Sequence, residues 1–175
     1  SCAVFVEIIA NPQMEVVDLK DLSDVAHKHN VPVVADTTLI PFSAFSASDL
    51  GVDIDVISST KYVSGGGTSL GGLIIDYGTF DWKKSPKLKA LAENHFSAFH
   101  FRLRKEIHRN LCAYMTAQNA YLQMLGLVTM NLRYKHQADV CLDLAERLQK
   151  HPKVKSVSYP GLKDNQFHTI GTKQF

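Results

Sequence analysis

Two short apolar runs, separated by an amphipathic stretch of helix length, constrain this chain more than any other feature. Ala3 to Ile9 is rich in β-branched residues and is broken at Asn11-Pro12, which reads as a buried strand ending in a turn. Val31 to Asp36, Val-Pro-Val-Val-Ala-Asp, is apolar almost throughout. A run of that kind fits a sheet covered on both faces, which is the parallel case. Between the two, Asp18 is a candidate N-cap, and Leu19, Leu22, Val25 and Ala26 share one face, so a helix is expected to about His29. Strand, helix and strand make a βαβ unit. Further strands are expected at Asp53 to Ser58 and, after a glycine-rich bend, at Leu70 to Tyr77. The expected fold class is α/β, with a mainly parallel sheet and helices on both faces.

Past about Leu91 the pattern turns helical. Apolar residues at helical spacing over Leu111 to Tyr134, and a second stripe of Cys141, Leu144, Ala145 and Leu148, predict two long helices, the second ending at His151-Pro152. Val154 to Tyr159 alternates and predicts a strand before Pro160-Gly161. That strand is read as the opening of another domain, with residues 1–152 belonging to a larger domain and 153–175 to the start of a smaller one. A length of 175 residues has room for one domain and part of a second. Ser1 leads straight into an apolar run and the chain stops as abruptly at Gly171-Thr172-Lys173-Gln174-Phe175, so both ends read as cut.

Charge and cysteine usage narrow the partners. A net charge of +2 is too weak to propose nucleic acid or a membrane surface, and no apolar run approaches the length of about 18 residues that a membrane span needs. The three cysteines, Cys2, Cys112 and Cys141, are scattered without CxxC spacing, which favours reduced thiols in a cytosol-like compartment over a disulfide framework or a metal site. His27 and His29 point to different faces of the expected helix, so no metal is expected.

In an open parallel sheet, ligands sit at the carboxyl ends of the strands. The residues there are Asn11 after the first strand, Asp36 at the second, and Ser58-Ser59-Thr60-Lys61 at the third. A carboxylate at the rim of a dry sheet needs a cationic partner. Pyridoxal phosphate requires this set: an amine for a Schiff base, a carboxylate to keep the ring nitrogen protonated, and hydroxyl or amide donors for the phosphate. Lys61, Asp36, Ser58 and Thr60 supply those types. The local pattern alone better fits a structural Asp36–Lys61 ion pair, or either as simply a turn residue. The glycine-rich stretch Ser64 to Gly72 is no Walker loop, because Lys61 precedes its glycines and no GxGxxG occurs, so a close-passing turn is expected there.

The ordered motifs go further. Glu7-Ile8-Ile9-Ala10-Asn11-Pro12, Val33-Val34-Ala35-Asp36-Thr37-Thr38, Ser58-Ser59-Thr60-Lys61-Tyr62, Gly71-Gly72 and Tyr159-Pro160-Gly161-Leu162 follow one another, and Asn11, Asp36 and Lys61 stand at two equal spacings of 25. In these the chain resembles the Cys/Met-metabolism pyridoxal-phosphate enzymes over nearly its whole length. The resemblance implies the large domain of a fold-type-I transferase. It also implies that Lys61 holds the cofactor and shuttles substrate protons, that Asp36 pairs with the ring nitrogen, that Ser58 and Thr60 bind phosphate, and that Asn11 bonds the phenolic oxygen.

The stretches Gly67 to Gly72 and Gly78-Thr79-Phe80-Asp81-Trp82, with Asn119-Ala120, Gly126-Leu127 and Leu132-Arg133, are similar to the O-acetylhomoserine sulfhydrylase branch. That branch replaces acetate by sulfide to give homocysteine, which implies an amino-acid substrate, sulfide, a role in methionine and cysteine biosynthesis, a cytoplasmic setting and a dimer or tetramer. Cystathionine γ-synthase, cystathionine γ-lyase, methionine γ-lyase and a non-catalytic remnant are the competing implications. Asp36-Thr37-Thr38 replaces the family's usual Asp-Asn-Thr, and Gly66 stands where a histidine is usual. Family chains are more than twice this length and supply further cofactor and substrate contacts, so this stretch alone is expected to bind cofactor weakly or not at all.

Overall fold

The computed structural model describes residues 2–94 and 97–175. The first apolar run forms β1, Val4–Glu7, and the second forms β2, Val33–Asp36. Between them lies helix α1, Leu19–Lys28, whose N-cap Asp18 accepts the Asp21 N–H at 3.0 Å. The helix stops at His29, and Asn30 turns the chain into β2 with a left-handed φ of 53°, a conformation that asparagine tolerates better than most residues. The two strands run parallel, with Val4 opposite Val33 and Glu7 opposite Asp36.

Strand β3, Ile54–Ile57, adds to β2 in parallel, and β4, Leu73–Asp76, closes the far edge antiparallel, giving the order β1-β2-β3-β4. The mainly parallel sheet is as expected. The reversal of β4 follows from its connection: a parallel neighbour needs a crossover of a dozen or more residues, usually a helix, and the glycine-rich segment from β3 to β4 builds none. Against one face of the sheet, Val33 and Ala35 pack with Leu19 and Ala26 of α1 and with Ile8, Ile40, Ala47 and Val52. Toward the other face, Phe5 and Ile74 stay 64% and 46% exposed.

Buried Asp53, at the foot of β3, ties these layers together. Its Oδ2 accepts the Val33 N–H and meets His27 Nε2, both at 2.8 Å, while Oδ1 accepts the Thr79 hydroxyl at 2.8 Å. One carboxylate thereby links α1, β2 and the segment beyond β4.

The remaining elements are helical. A short α2, Lys89–Ala92, precedes α3, Ala98–Arg102, which runs through a π-helical stretch, Leu103–His108, into α4, Arg109–Leu111. Helix α5 is a single helix of 33 residues, Ala117–Gln149, capped by Thr116, whose hydroxyl accepts the Asn119 N–H at 3.1 Å. The two helices expected from the sequence are therefore one, starting at Ala117 and not Leu111. Lys135 to Val140, between the two apolar stripes, holds no glycine or proline, and the Lys135–Asp139 pair bridges the junction one turn apart.

Val154 to Tyr159 forms no strand. An alternating segment becomes a strand only beside a partner for its backbone groups, and the four strands of the described sheet lie elsewhere. The chain ends in α6, His168–Gln174. No helix among the described residues is long and apolar enough to cross a membrane.

Candidate active site

Because β1, β2 and β3 are parallel, their carboxyl ends open on the same side of the sheet. There lies a cavity of about 630 Å³, lined by Asn11, Asp36, Ser58, Thr60 and Lys61. All five residues singled out from the sequence meet at this one place. Glu7, Thr38, Tyr62, the three glycines 65–67, Arg133 and Gln137 complete much of the wall.

Asp36 closes β2 half-buried, and its Oδ1 accepts the Thr38 N–H at 2.9 Å. The Thr38 hydroxyl in turn accepts the Ser58 N–H at 2.8 Å, which fixes the ends of β2 and β3 side by side. Asp36 Oδ2 and the Lys61 amine make no hydrogen bond or ion pair within the described residues. The structural ion pair that the local pattern allowed is thus not formed, and both groups face the cavity free. Asn11 precedes Pro12 through a cis peptide bond and donates its N–H to Glu7 Oε2 at 3.2 Å, leaving its side-chain amide open.

Thr60 is held differently. Its hydroxyl donates to the Gly71 carbonyl at 3.2 Å and accepts the Gly71 N–H at 3.0 Å, while its own N–H also reaches that carbonyl at 3.3 Å. Turning the hydroxyl proton toward the cavity would leave the Gly71 carbonyl still bonded.

The glycine-rich loop behaves as a close-passing turn. Gly65, Gly66 and Gly67 all have φ between 82° and 107°, a region open to glycine and strained for other residues. Their N–H groups bond the carbonyls of Tyr62, Lys61 and Thr60 respectively, so none is left to cradle an oxyanion.

The wall opposite the strand ends comes from α5, whose Gly126 and Arg133 lie in stretches similar to the sulfhydrylase branch but carried no expected role in the site. Arg133 Nη2 donates to the Tyr62 carbonyl at 2.7 Å and to the Gly126 carbonyl at 2.8 Å. At Gly126 the helix touches the lysine turn through backbone alone, since a Cβ there would lie 2.1 Å from the Val63 carbonyl oxygen. Buried Gln123, one turn earlier, approaches Gly71 so closely that a Cβ on Gly71 would meet its Nε2 at 2.2 Å. Beside that resemblance the sequence signal was spacing: positions 123, 126, 130, 133 and 137 fall on one side of a helix.

A second cavity, of about 350 Å³, adjoins the first through Ile9, Leu39, Tyr62 and Gln137. Tyr62 and Tyr134 meet there edge to face, ring centres 5.5 Å apart. Burial pushes the hydroxyl pKa values of Tyr62, Tyr134 and Tyr159 above the ordinary value of 10.0, which keeps them as O–H donors. No group of three or more His, Cys, Asp or Glu suited to a metal ion occurs among the described residues.

Comparison with known proteins decides the family. The model of the family described as "Cys/Met metabolism PLP-dependent enzyme" matches residues 1–175. The chain belongs to this family. It is 32% identical to O-acetyl-L-homoserine sulfhydrylase of Corynebacterium glutamicum and 35% identical to homocysteine synthase of Schizosaccharomyces pombe, covering 98% of this chain in each case. Each match covers 43% of the relative, so the chain spans less than half the length of these curated relatives.

Among solved structures, O-acetylhomoserine sulfhydrylase of Wolinella succinogenes superposes with a TM-score of 0.90 at 44% identity, over 99% of this chain and 50% of that one. A putative O-acetylhomoserine (thiol)-lyase of Campylobacter jejuni, solved with pyridoxyl-lysine-5'-monophosphate, superposes with a TM-score of 0.92 at 29% identity, over 99% of this chain and 45% of that one. The fold is thus that of fold-type-I enzymes, and pyridoxal phosphate is the cofactor of the family. The donor set of the cavity fits such a group: an unpaired amine, a carboxylate oxygen without a partner, and hydroxyl and amide groups at the strand ends.

Proposed function

We propose that the protein is an O-acetylhomoserine sulfhydrylase-like enzyme, replacing the acetate of O-acetylhomoserine with sulfide to give homocysteine. The observation that carries this reading is the convergence of Asn11, Asp36, Ser58, Thr60 and Lys61 on one cavity, in a chain whose relatives are named sulfhydrylases and homocysteine synthases.

When bound, pyridoxal phosphate supplies an electron sink for negative charge developing on the carbons of an amino acid. The roles of this chain's residues follow from their positions. Asp36, steadied through Oδ1 by the Thr38 amide, has Oδ2 to hold a proton on the ring nitrogen. Lys61 sits on a turn closed by its own N–H to the Ser58 carbonyl at 3.1 Å. Its amine would hold the cofactor's aldehyde carbon and afterwards carry protons between substrate positions. The Ser58 hydroxyl, and the Thr60 hydroxyl once rotated away from Gly71, would donate to phosphate oxygens, and the Asn11 amide would donate to the phenolic oxygen. The apolar stripe of Tyr121, Leu125, Val128 and Leu132, exposed along α5, supports assembly of the protein as a dimer or tetramer.

Lys61→Ala in the full-length protein tests the reading. The expected result is loss of the borohydride-trapped cofactor adduct and of sulfide-dependent homocysteine formation, by at least the factor of about a hundred typical of a lost proton-transfer group. Normal turnover in that variant would overturn the assignment. Release of ammonia and an oxo acid by the unaltered protein would point to a lyase, and use of cysteine in place of sulfide to a cystathionine synthase.

A further inference from the structure

The lysine turn is held locally by Ser64, whose N–H bonds the Ser59 carbonyl at 2.9 Å and whose hydroxyl donates to the Thr60 carbonyl at 2.6 Å. Its carbonyls accept N–H groups from the glycine-rich loop, and the bond from Gly65 to the Tyr62 carbonyl is long at 3.3 Å. The shortest hydrogen bond onto that carbonyl comes instead from Arg133 Nη2, at 2.7 Å and from 71 positions along the chain. The guanidinium is itself tethered to its own helix, Nε donating to Thr129 Oγ1 at 3.1 Å and Nη2 to the Gly126 carbonyl at 2.8 Å. A planar, pre-organised fork can hold several acceptors at fixed angles, where a lysine ammonium on a flexible stem holds one point. No carboxylate pairs with Arg133 among the described residues, and both Nη2 bonds go to backbone.

From this geometry we infer that Arg133 is a positioning residue: it clamps the turn carrying Lys61 to α5 and so sets where the Lys61 amine stands in the cavity. Gly126 is the counterpart of the clamp, because its missing side chain lets the helix backbone reach Val63 and Ser64. The inference rests on Lys61 being the cofactor lysine. A displacement of the amine by about 1 Å can cost on the order of a hundredfold in reaction rate, which gives a bond to the neighbouring carbonyl leverage far beyond its own strength.

The test uses full-length protein carrying Arg133→Ala or Arg133→Lys, each first checked for a cooperative thermal transition. In the cofactor-free state, the amides of Ser64, Gly65, Gly66 and Gly67 are expected to exchange hydrogen about tenfold faster than in the unaltered protein, with β1 and β2 unchanged. The rate at which added pyridoxal phosphate forms a borohydride-trapped adduct at Lys61 is expected to fall on the order of a hundredfold, the KM for amino-acid substrate to change little, and millimolar guanidinium to restore much of the loss in Arg133→Ala.

Unchanged exchange and unchanged trapping in a folded variant would overturn the clamp. A raised KM with unchanged trapping would overturn it too, since Arg133 would then touch substrate. Should Arg133→Ala fail to fold, Arg133→Lys carries the same comparison. An adduct mapping away from Lys61 in the unaltered protein would sink the cofactor reading, while the exchange measurement would still decide whether Arg133 holds the turn.

Discussion

Asp55 lies in the middle of β3 only 1% exposed, in register with Ala35 on one side and Ile75 on the other. Burial holds its pKa above the ordinary 3.8; hydrogen bonding to the Thr37 hydroxyl and to the Tyr77 hydroxyl, which donates to Oδ2 at 3.1 Å, opposes the rise, and the charge of Asp36 adds to it. A carboxyl whose folded pKa is raised binds its proton more tightly in the folded state, so stability is lost as pH rises through that value. Asp55→Asn keeps the shape and removes the charge. The variant is expected to be more stable than the unaltered protein at pH 7, by on the order of 1 kcal/mol, and the gap to close as pH falls toward 3.8. Thermal melts across that range check it; a constant gap would show that folding leaves the Asp55 pKa unshifted. Residues such as Asp36 and Lys61 were legible in the sequence because Asp36 closes one short apolar strand and Lys61 stands just beyond another. Asp55 was legible only as part of a strand, since its burial depends on what packs over the sheet.

At the scale of elements, α1 and the parallel strands were readable because cap, amphipathic face and apolar runs agree locally. Helix α5 was readable in composition but not in continuity, because its apolar residues change face while the backbone runs on. Its contact with the lysine turn was hidden for another reason: the atoms concerned are backbone carbonyls, which every residue carries. Gly126 is where that contact can be broken most cleanly. In Gly126→Ala the new Cβ would meet the Val63 carbonyl oxygen at 2.1 Å and the Ser64 carbonyl carbon at 2.5 Å, and neither can rotate away. Alanine improves helix propensity by about 1 kcal/mol, yet the overpacking is expected to outweigh it and give a net loss of about 1–2 kcal/mol. Urea denaturation checks the sign. A stabilised variant would mean that α5 does not press on the turn as described.

The molecule as a whole is held by contacts between parts far apart in the chain. Helix α6 carries little apolar patterning and was not expected, and what fixes it is tertiary. Gln174 Oε1 accepts the buried Leu19 N–H at 2.8 Å, its Nε2 donates to the Val17 carbonyl at 2.9 Å, and the Phe175 ring meets Phe45 edge-on at 5.1 Å between centres. The Leu19 amide belongs to the first turn of α1, where N–H groups have no partner within the helix. Gln174 therefore completes the cap of a helix 155 positions away. Gln174→Ala leaves that buried amide unpaired and is expected to cost about 1–3 kcal/mol. Gln174→Glu keeps the acceptor for Leu19 but sets a carboxylate oxygen against the Val17 carbonyl, so it is expected to recover only part of the loss near neutral pH and more of it as the new carboxyl protonates and donates to that carbonyl. Urea midpoints at pH 7 and pH 4, with the slope unchanged, check both. Equal midpoints for Gln174→Ala and the unaltered protein would mean that α6 does not stabilise the fold through this cap.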